Sequence, residues 1–184
     1  MRSSIETLSP RPVLSGHGDL RVNCGDLEIR IDRDGVWQYR GSPMDRQEMV
    51  CLFASLLTRH ADGTYWLETP TEAGRIQVDD VPFLIVDLFV AGRDVDQVVS
   101  FRTNVDEIVT LDAEHPLRIK ADSLDRRDMA PYVMVRGGLE ARLTRSVYHE
   151  LVTCGVTEKI GHEVVYGIWS SGAFFPIGSL DPEG

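Results

Sequence analysis

The sequence predicts an α+β fold in which two β-β-α-β subdomains flank a strand-rich middle. Three observations carry that expectation. Short runs alternating polar and apolar residues dominate the chain, two short helical stripes interrupt them, and the order strand, tight turn, strand, helix, strand occurs in the first third and again in the last. The 184 residues, 42% hydrophobic and 26% charged, suffice for one large domain or two small ones. A chain of this size buries roughly 70% of its unfolded surface, so neither disulfide nor metal is needed for folding.

Residues 1–20 hold two prolines, two glycines and little periodicity, and read as a loosely held arm. At 26–31, alternation puts Leu27, Ile29 and Ile31 on one strand face; Asp34-Gly35 supplies a tight turn, and 36–40 return. A helix is expected to open at Ser42 as N-cap, with Pro43 at its first position and Asp45 reaching back as in a capping box. Met49, Leu52, Phe53, Leu56 and Leu57 then form a stripe at helical spacing, which we assign to the core. Asp62-Gly63 ends that region and 64–69 read as the returning strand.

In the middle, 74–79 alternate, with Arg75, Gln77 and Asp79 opposite Ile76 and Val78. Residues 83–90 are almost wholly apolar, as a central strand covered on both faces would be. After a turn at Gly92-Arg93-Asp94, 98–104 place Ser100, Arg102 and Asn104 on a common polar face. Short strands follow at 107–111 and 117–120, then a charged, exposed connection at 122–128. The last third repeats the first: strands at 132–136 and 139–143 around Gly137-Gly138, a helix capped by Thr144 or Ser146 and stopped at Gly155, and a strand at 164–169. The expected division is an arm at 1–20, an N-terminal subdomain at 21–80 and a C-terminal subdomain at 81–184.

Net charge is −10, split evenly, with 9 basic and 14 acidic residues in 1–92 and 10 and 15 in 93–184. With no basic half or tail, the chain is a poor partner for nucleic-acid polymers, whose binding rests on phosphate neutralisation. Of the basic residues only Lys120 and Lys159 are lysines; codon bias explains the arginine excess, and bidentate anion recognition is the alternative. Cys24, Cys51 and Cys154 are odd in number and scattered, as reduced cytosolic thiols would be. The longest apolar run, 81–91, is broken by Pro82 and Asp87 and falls short of the roughly 20 residues a bilayer needs. With no signal-peptide core at the N-terminus, the expected location is the cytoplasm, away from membranes.

Catalytic and cofactor signatures are missing. There is no P-loop, and Gly16-His17-Gly18 leads into a polar strand instead of a helix. His149-Glu150 and His162-Glu163 are adjacent pairs, not a chelating motif, and the segment from Gly167 misses a nucleophile elbow by one residue. No catalytic residue, metal ligand or cofactor is assigned. Asp79-Asp80 suits a divalent cation, or more simply a turn ahead of Pro82.

The candidate ligand-binding residues are Arg75, Gln77, Arg102, Asn104, Trp169, Ser170 and Phe174. Arg75 and Gln77 on one strand, and Ser100, Arg102 and Asn104 on another, offer guanidinium and amide donors on polar faces of what could be one sheet. Residues 169–175 combine three aromatics, small hydroxylated residues and Gly172, either a platform for a ligand or a final strand with its turn. Ordinary cross-strand pairing is the plain alternative for the charged residues.

Several segments in order resemble the bacterial family of the domain of unknown function twelve eighty-five: Cys24-Gly25-Asp26, Arg33-Asp34-Gly35-Val36-Trp37, Gly41-Ser42-Pro43, Thr69-Pro70-Thr71-Glu72, Arg75-Ile76-Gln77-Val78, Val81-Pro82-Phe83, Phe101-Arg102-Thr103-Asn104, Glu114-His115-Pro116-Leu117, and the stretch from Gly167 to Pro176. The resemblance covers residues from about 20 to 178. It implies a duplicated α+β core whose C-terminal half looks superficially like a pleckstrin-homology domain. It also implies a site for a nucleotide-like ligand at the interface of the halves, and a role in signal transduction. The expected function is therefore a non-enzymatic cytosolic sensor with arginines on the phosphates and an aromatic on the base. The alternatives are a protein-interaction adaptor using an exposed sheet edge or the pleckstrin-like surface, or a metal-dependent hydrolase working with Asp79, Asp80 or Glu72.

Overall fold

The structure, a computed structural model, describes residues 12–14, 20–121 and 129–179. The expected connection at 122–128 and most of the expected arm lie outside the described residues. The chain divides into two compact units: one comprises the chain up to Ile31 with Trp37–Val78, the other Asp32–Val36 with the chain from Asp79 onward.

The first unit is one seven-stranded sheet and a helix. Its strands are β1 (Pro12–Leu14), β2 (Leu20–Ile31), β3 (Trp37–Tyr39), β4 (Ser42–Pro43), β5 (Leu57–Arg59), β6 (Tyr65–Glu68) and β7 (Glu72–Val78), with α1 (Gln47–Ser55) between β4 and β5. The order across the sheet is β4-β3-β2-β7-β6-β5, with β1 paired to β2, so three residues of the expected arm are a strand. Only the β2/β7 pair is parallel, and its register shifts at Asp26 mark bulges in the long strand β2. Alternation drives the burial: Ile29 and Ile31 face inward with Trp37, Leu57, Leu67 and Ile76, and Trp37 stacks on Phe53 of α1 at 6.4 Å.

The expected helix start at Ser42 is corrected. Arg40 (φ 51°) and Gly41 (φ 77°) make a two-residue hairpin turn, and Ser42 and Pro43 return from it as an edge strand paired with Tyr39 and Gln38. Pro43 biases Ser42 toward extended backbone, and a proline is tolerated on a strand at the sheet's edge. The helix begins at Gln47, with Arg46 as a cap that makes no side-chain hydrogen bond. Its buried residues are Val50 and Ala54, while Met49 and Leu52 are exposed, so the expected core stripe is rotated by one position.

The second unit has two sheets. Strands β8 (Phe83–Ala91), β9 (Val98–Thr103), β10 (Ile108–Thr110), β11 (Leu117–Ala121), β12 (Met129–Arg136) and β13 (Leu139–Leu143) form one in the order β10-β9-β8-β13-β12-β11, parallel only at β8/β13. After α2 (Arg145–Thr153), an antiparallel meander follows of β14 (Val156–Ile160), β15 (Glu163–Ser170) and β16 (Ala173–Ser179). Phe83, Ile85, Val99, Phe101, Leu111, Val133, Leu139 and Ala141 make the core of the large sheet; Val147 and Leu151 of α2 and Ile168 of β15 are buried with them. Strand β8 is central, but only its first half is covered: Val86, Phe89 and Val90 are exposed, against the expectation of burial on both faces.

Both units contain two paired strands, a nine-residue helix and two further strands in sequence, which is the duplication read from the pattern. They differ in where the chain goes after the helix: β5 and β6 rejoin the first sheet, whereas β14 and β15 build a sheet of their own. Among the described residues, no helix is long and apolar enough to cross a membrane.

Candidate functional site

The polar positions of β2, β3 and β7 share the face of the first sheet opposite Ile29 and Ile31. Register sets them in rows. Arg30 is the direct neighbour of Gln38 on β3 and of Gln77 on β7, giving a row Gln38–Arg30–Gln77 across three adjacent strands. One row away, Arg40 Nε donates to Glu28 at 2.5 Å. At the bulge, Arg75 pairs with Asp26. A cleft of about 270 Å³ on this face is lined by Glu28, Arg30, Gln38, Arg40 and Gln77, together with Leu27 and Ile29 of β2 and Gly41 of the β3–β4 turn. Opposite Arg75 on β6 stands Trp66, whose indole stacks on the His60 ring at 5.1 Å and donates from Nε1 to Thr64 at 2.8 Å. The face thus offers guanidinium and amide donors next to a flat aromatic surface. That set suits an anion carrying a planar group.

Electrostatics tie this face down. The side-chain hydrogen bond from Arg75 holds the Asp26 carboxyl below the usual carboxylate range. Glu68, at the far end of β6, is pushed up by partial burial, but bonds from His60 Nε2 at 2.8 Å and Arg21 Nη1 at 2.7 Å outweigh that and leave it below its ordinary value.

Of the residues singled out from the sequence, Arg75 and Gln77 lie together on this face. Arg102, Asn104, Trp169, Ser170 and Phe174 belong to the second unit, so the polar faces of β7 and β9 are not parts of one sheet as expected. Arg102 is enclosed by carboxylates, with Nε 2.9 Å from Asp87 and Nη1 3.0 Å from Asp106. Asn104 bridges backbone: its Oδ1 accepts from Leu84 N–H at 3.0 Å and its Nδ2 donates to the Gly35 carbonyl at 3.2 Å. Trp169 and Phe174 are cross-strand partners with rings 5.4 Å apart, and the indole N–H donates to Glu158 at 3.0 Å. Ser170 is fully buried, its hydroxyl donating to Leu111 O at 2.6 Å and accepting from Val99 N–H at 2.9 Å. Gly172 lies in the turn between β15 and β16. Asp80 accepts from the Tyr132 hydroxyl at 3.1 Å and lies 3.4 Å from Arg142, a structural placement. Among the described residues, no three His, Cys, Asp or Glu side chains are grouped as a metal site.

Arg30, Gln38 and Trp66 escaped the sequence reading. The alternation Asp26, Glu28, Arg30 and the hairpin partner Gln38 were legible as one polar face; the parallel register that sets Gln77 beside Arg30 was not.

Two related α+β units, the first with a polar sheet face and a shallow cleft, define the class of protein. The chain belongs to the DUF1285 family: the N-terminal domain of that family, described as a domain of unknown function, matches residues 21–81, and its C-terminal domain, described as a protein of unknown function, matches residues 82–177. A crystal structure of a DUF1285 family protein from Silicibacter pomeroyi DSS-3 is 39% identical, with a TM-score of 0.80 over 96% of this chain and 92% of that one. One from Shewanella baltica OS155 is 27% identical, with a TM-score of 0.55 over 69% of this chain and 91% of that one. None of the curated proteins matches.

Proposed function

We propose that the protein is a non-enzymatic sensor that binds a nucleotide-like anion on the polar face of its first sheet. The carrying observation is the row Gln38–Arg30–Gln77 lining the cleft. Phosphate oxygens meet a guanidinium flanked by two amides, and the base reaches toward Trp66, two strands over and one row along, roughly 12 Å away. Arg75 stands between them. A role in bacterial cytoplasmic signal transduction belongs to the same reading and agrees with three cysteines joined in no disulfide among the described residues. So does a pleckstrin-homology-like character of the second unit, supported by its two mostly antiparallel sheets and the nine-residue helix α2.

Calorimetry against purine and pyrimidine mono-, di- and triphosphates tests the proposal, with inorganic pyrophosphate as the base-free control. Binding by at least one nucleotide is expected, weakened about tenfold by Arg30→Ala and by Gln77→Ala. Binding indifferent to both substitutions, or no binding across the panel, would sink it.

A further inference from the structure

The inward side of β2 and β3 carries a second cavity, whose lining shares Ile29 with that of the first. It holds about 350 Å³ between the β3–β4 hairpin and the first turns of α1, and its walls are Ile29, Tyr39, Pro43, Met44, Met49 and Phe53. Three polar residues complete the lining: Ser42, Asp45 and Arg46. Asp45 and Arg46 are exposed, and among the described residues neither side chain has a hydrogen-bond or ion-pair partner. This sets Arg46 apart from Arg21, Arg40 and Arg75 of the same unit, each held by a carboxylate. Nor do the two neutralise each other. They are consecutive, both line the cavity, and no ion pair joins them.

We infer that this groove binds a free α-amino acid with an apolar or aromatic side chain. Two unpaired charges of opposite sign at the mouth of an apolar pocket match a zwitterion: the α-carboxylate on the Arg46 guanidinium, the α-ammonium on the Asp45 carboxylate. The side chain enters between Phe53, Tyr39 and the thioethers of Met44 and Met49, which adapt to branched and flat shapes alike. Size favours this occupant. The cavity lies at the small end of the roughly 300–1,000 Å³ typical of ligand sites, and an amphipathic helix, about 10 Å across, would overfill it. A ligand carrying one charge leaves either Asp45 or Arg46 uncompensated.

The test titrates L-phenylalanine, L-leucine and L-methionine to about 10 mM, with hydrocinnamate and phenethylamine as analogues lacking one charge each. The amino acids are expected to bind about tenfold tighter than either analogue, and Asp45→Asn and Arg46→Gln each to lose about tenfold. Gln77→Ala, on the other face, is expected to leave this binding unchanged, so this inference and the nucleotide reading fail separately. Equal affinity for hydrocinnamate, indifference to both substitutions, or no binding by any of the three amino acids would overturn it. Both positions are exposed and make no side-chain bonds among the described residues, so the variants are expected to fold.

Discussion

Arg75 grips Asp26 at two points, Nε to Oδ1 at 2.5 Å and Nη2 to Oδ2 at 2.9 Å, where the bulge of β2 sets the two residues directly opposite each other. The carboxylate is thereby an internal competitor for any anion that Arg75 would bind. With its pKa lowered, Asp26 keeps competing through the ordinary carboxylate range and yields only below it. Asp26→Asn is predicted to tighten pyrophosphate binding roughly fivefold, because a neutral amide leaves the guanidinium's charge available. Calorimetry at neutral pH checks this, and unchanged affinity would remove Arg75 from the site.

Asn104 ties the turn around Gly35 to the start of β8. Losing these two bonds in Asn104→Ala is predicted to cost about 1–3 kcal/mol in urea unfolding, since the Leu84 N–H and Gly35 carbonyl both lose a partner. Gly35→Ala attacks the same joint from the other side. Gly35 sits at φ 73°, and an added Cβ would stand 2.8 Å from Asn104 Nδ2 and 3.0 Å from Leu84 Cγ, so it is predicted to destabilise by more than about 1 kcal/mol. A variant as stable as the parent would contradict this.

Ser170 fastens β15 to the large sheet of its unit through Val99 N–H and Leu111 O. Ser170→Ala creates little empty space but strands a buried backbone N–H, and the predicted loss is about 1–3 kcal/mol. Hydrogen exchange at Val99 should accelerate in the variant; protection equal to the parent's would show that another group satisfies it.

Acid sensitivity is predicted at Glu68. Its carboxyl lies below its ordinary value of 4.5 in the fold, so its contribution is complete above that pH and lost as pH falls through the lowered value. Glu68→Gln should therefore lower the thermal midpoint at pH 7 and converge on the parent as the pH drops below about 4. A difference independent of pH would assign the effect to packing.

Much of the fold was legible because alternation and turn chemistry are local: Asp34-Gly35, Gly137-Gly138 and the apolar stretch after Val81 announce their elements directly. Ser42-Pro43 misled because the same residues cap helices and leave turns, and the deciding fact was the backbone of Arg40 and Gly41 just before them. Strand β5 is short and follows a helix whose stripe runs into it at Leu57, while β14 carries no apolar alternation in Val156-Thr157-Glu158-Lys159-Ile160, which hid both. For the candidate site, the polar side of β7 could be read from Arg75 and Gln77 alone. That Ser170 would be sealed inside, and that Arg30 would sit between two glutamines, depends on pairings between strands distant in sequence, which no local pattern records.

The turn at Asp32–Val36 joins two strands of the first unit yet counts among the residues of the second, where the Arg33 and Gly35 carbonyls accept from Arg142 and Asn104. Scissors applied at the boundary after Val78 would therefore not yield two whole parts. A fragment from Asp79 onward would lack five of its own residues, among them the two carbonyls to which Arg142 and Asn104 donate. Supplying a peptide spanning 31–37 in trans is predicted to restore what a single cut removes, as a missing stave restores a barrel.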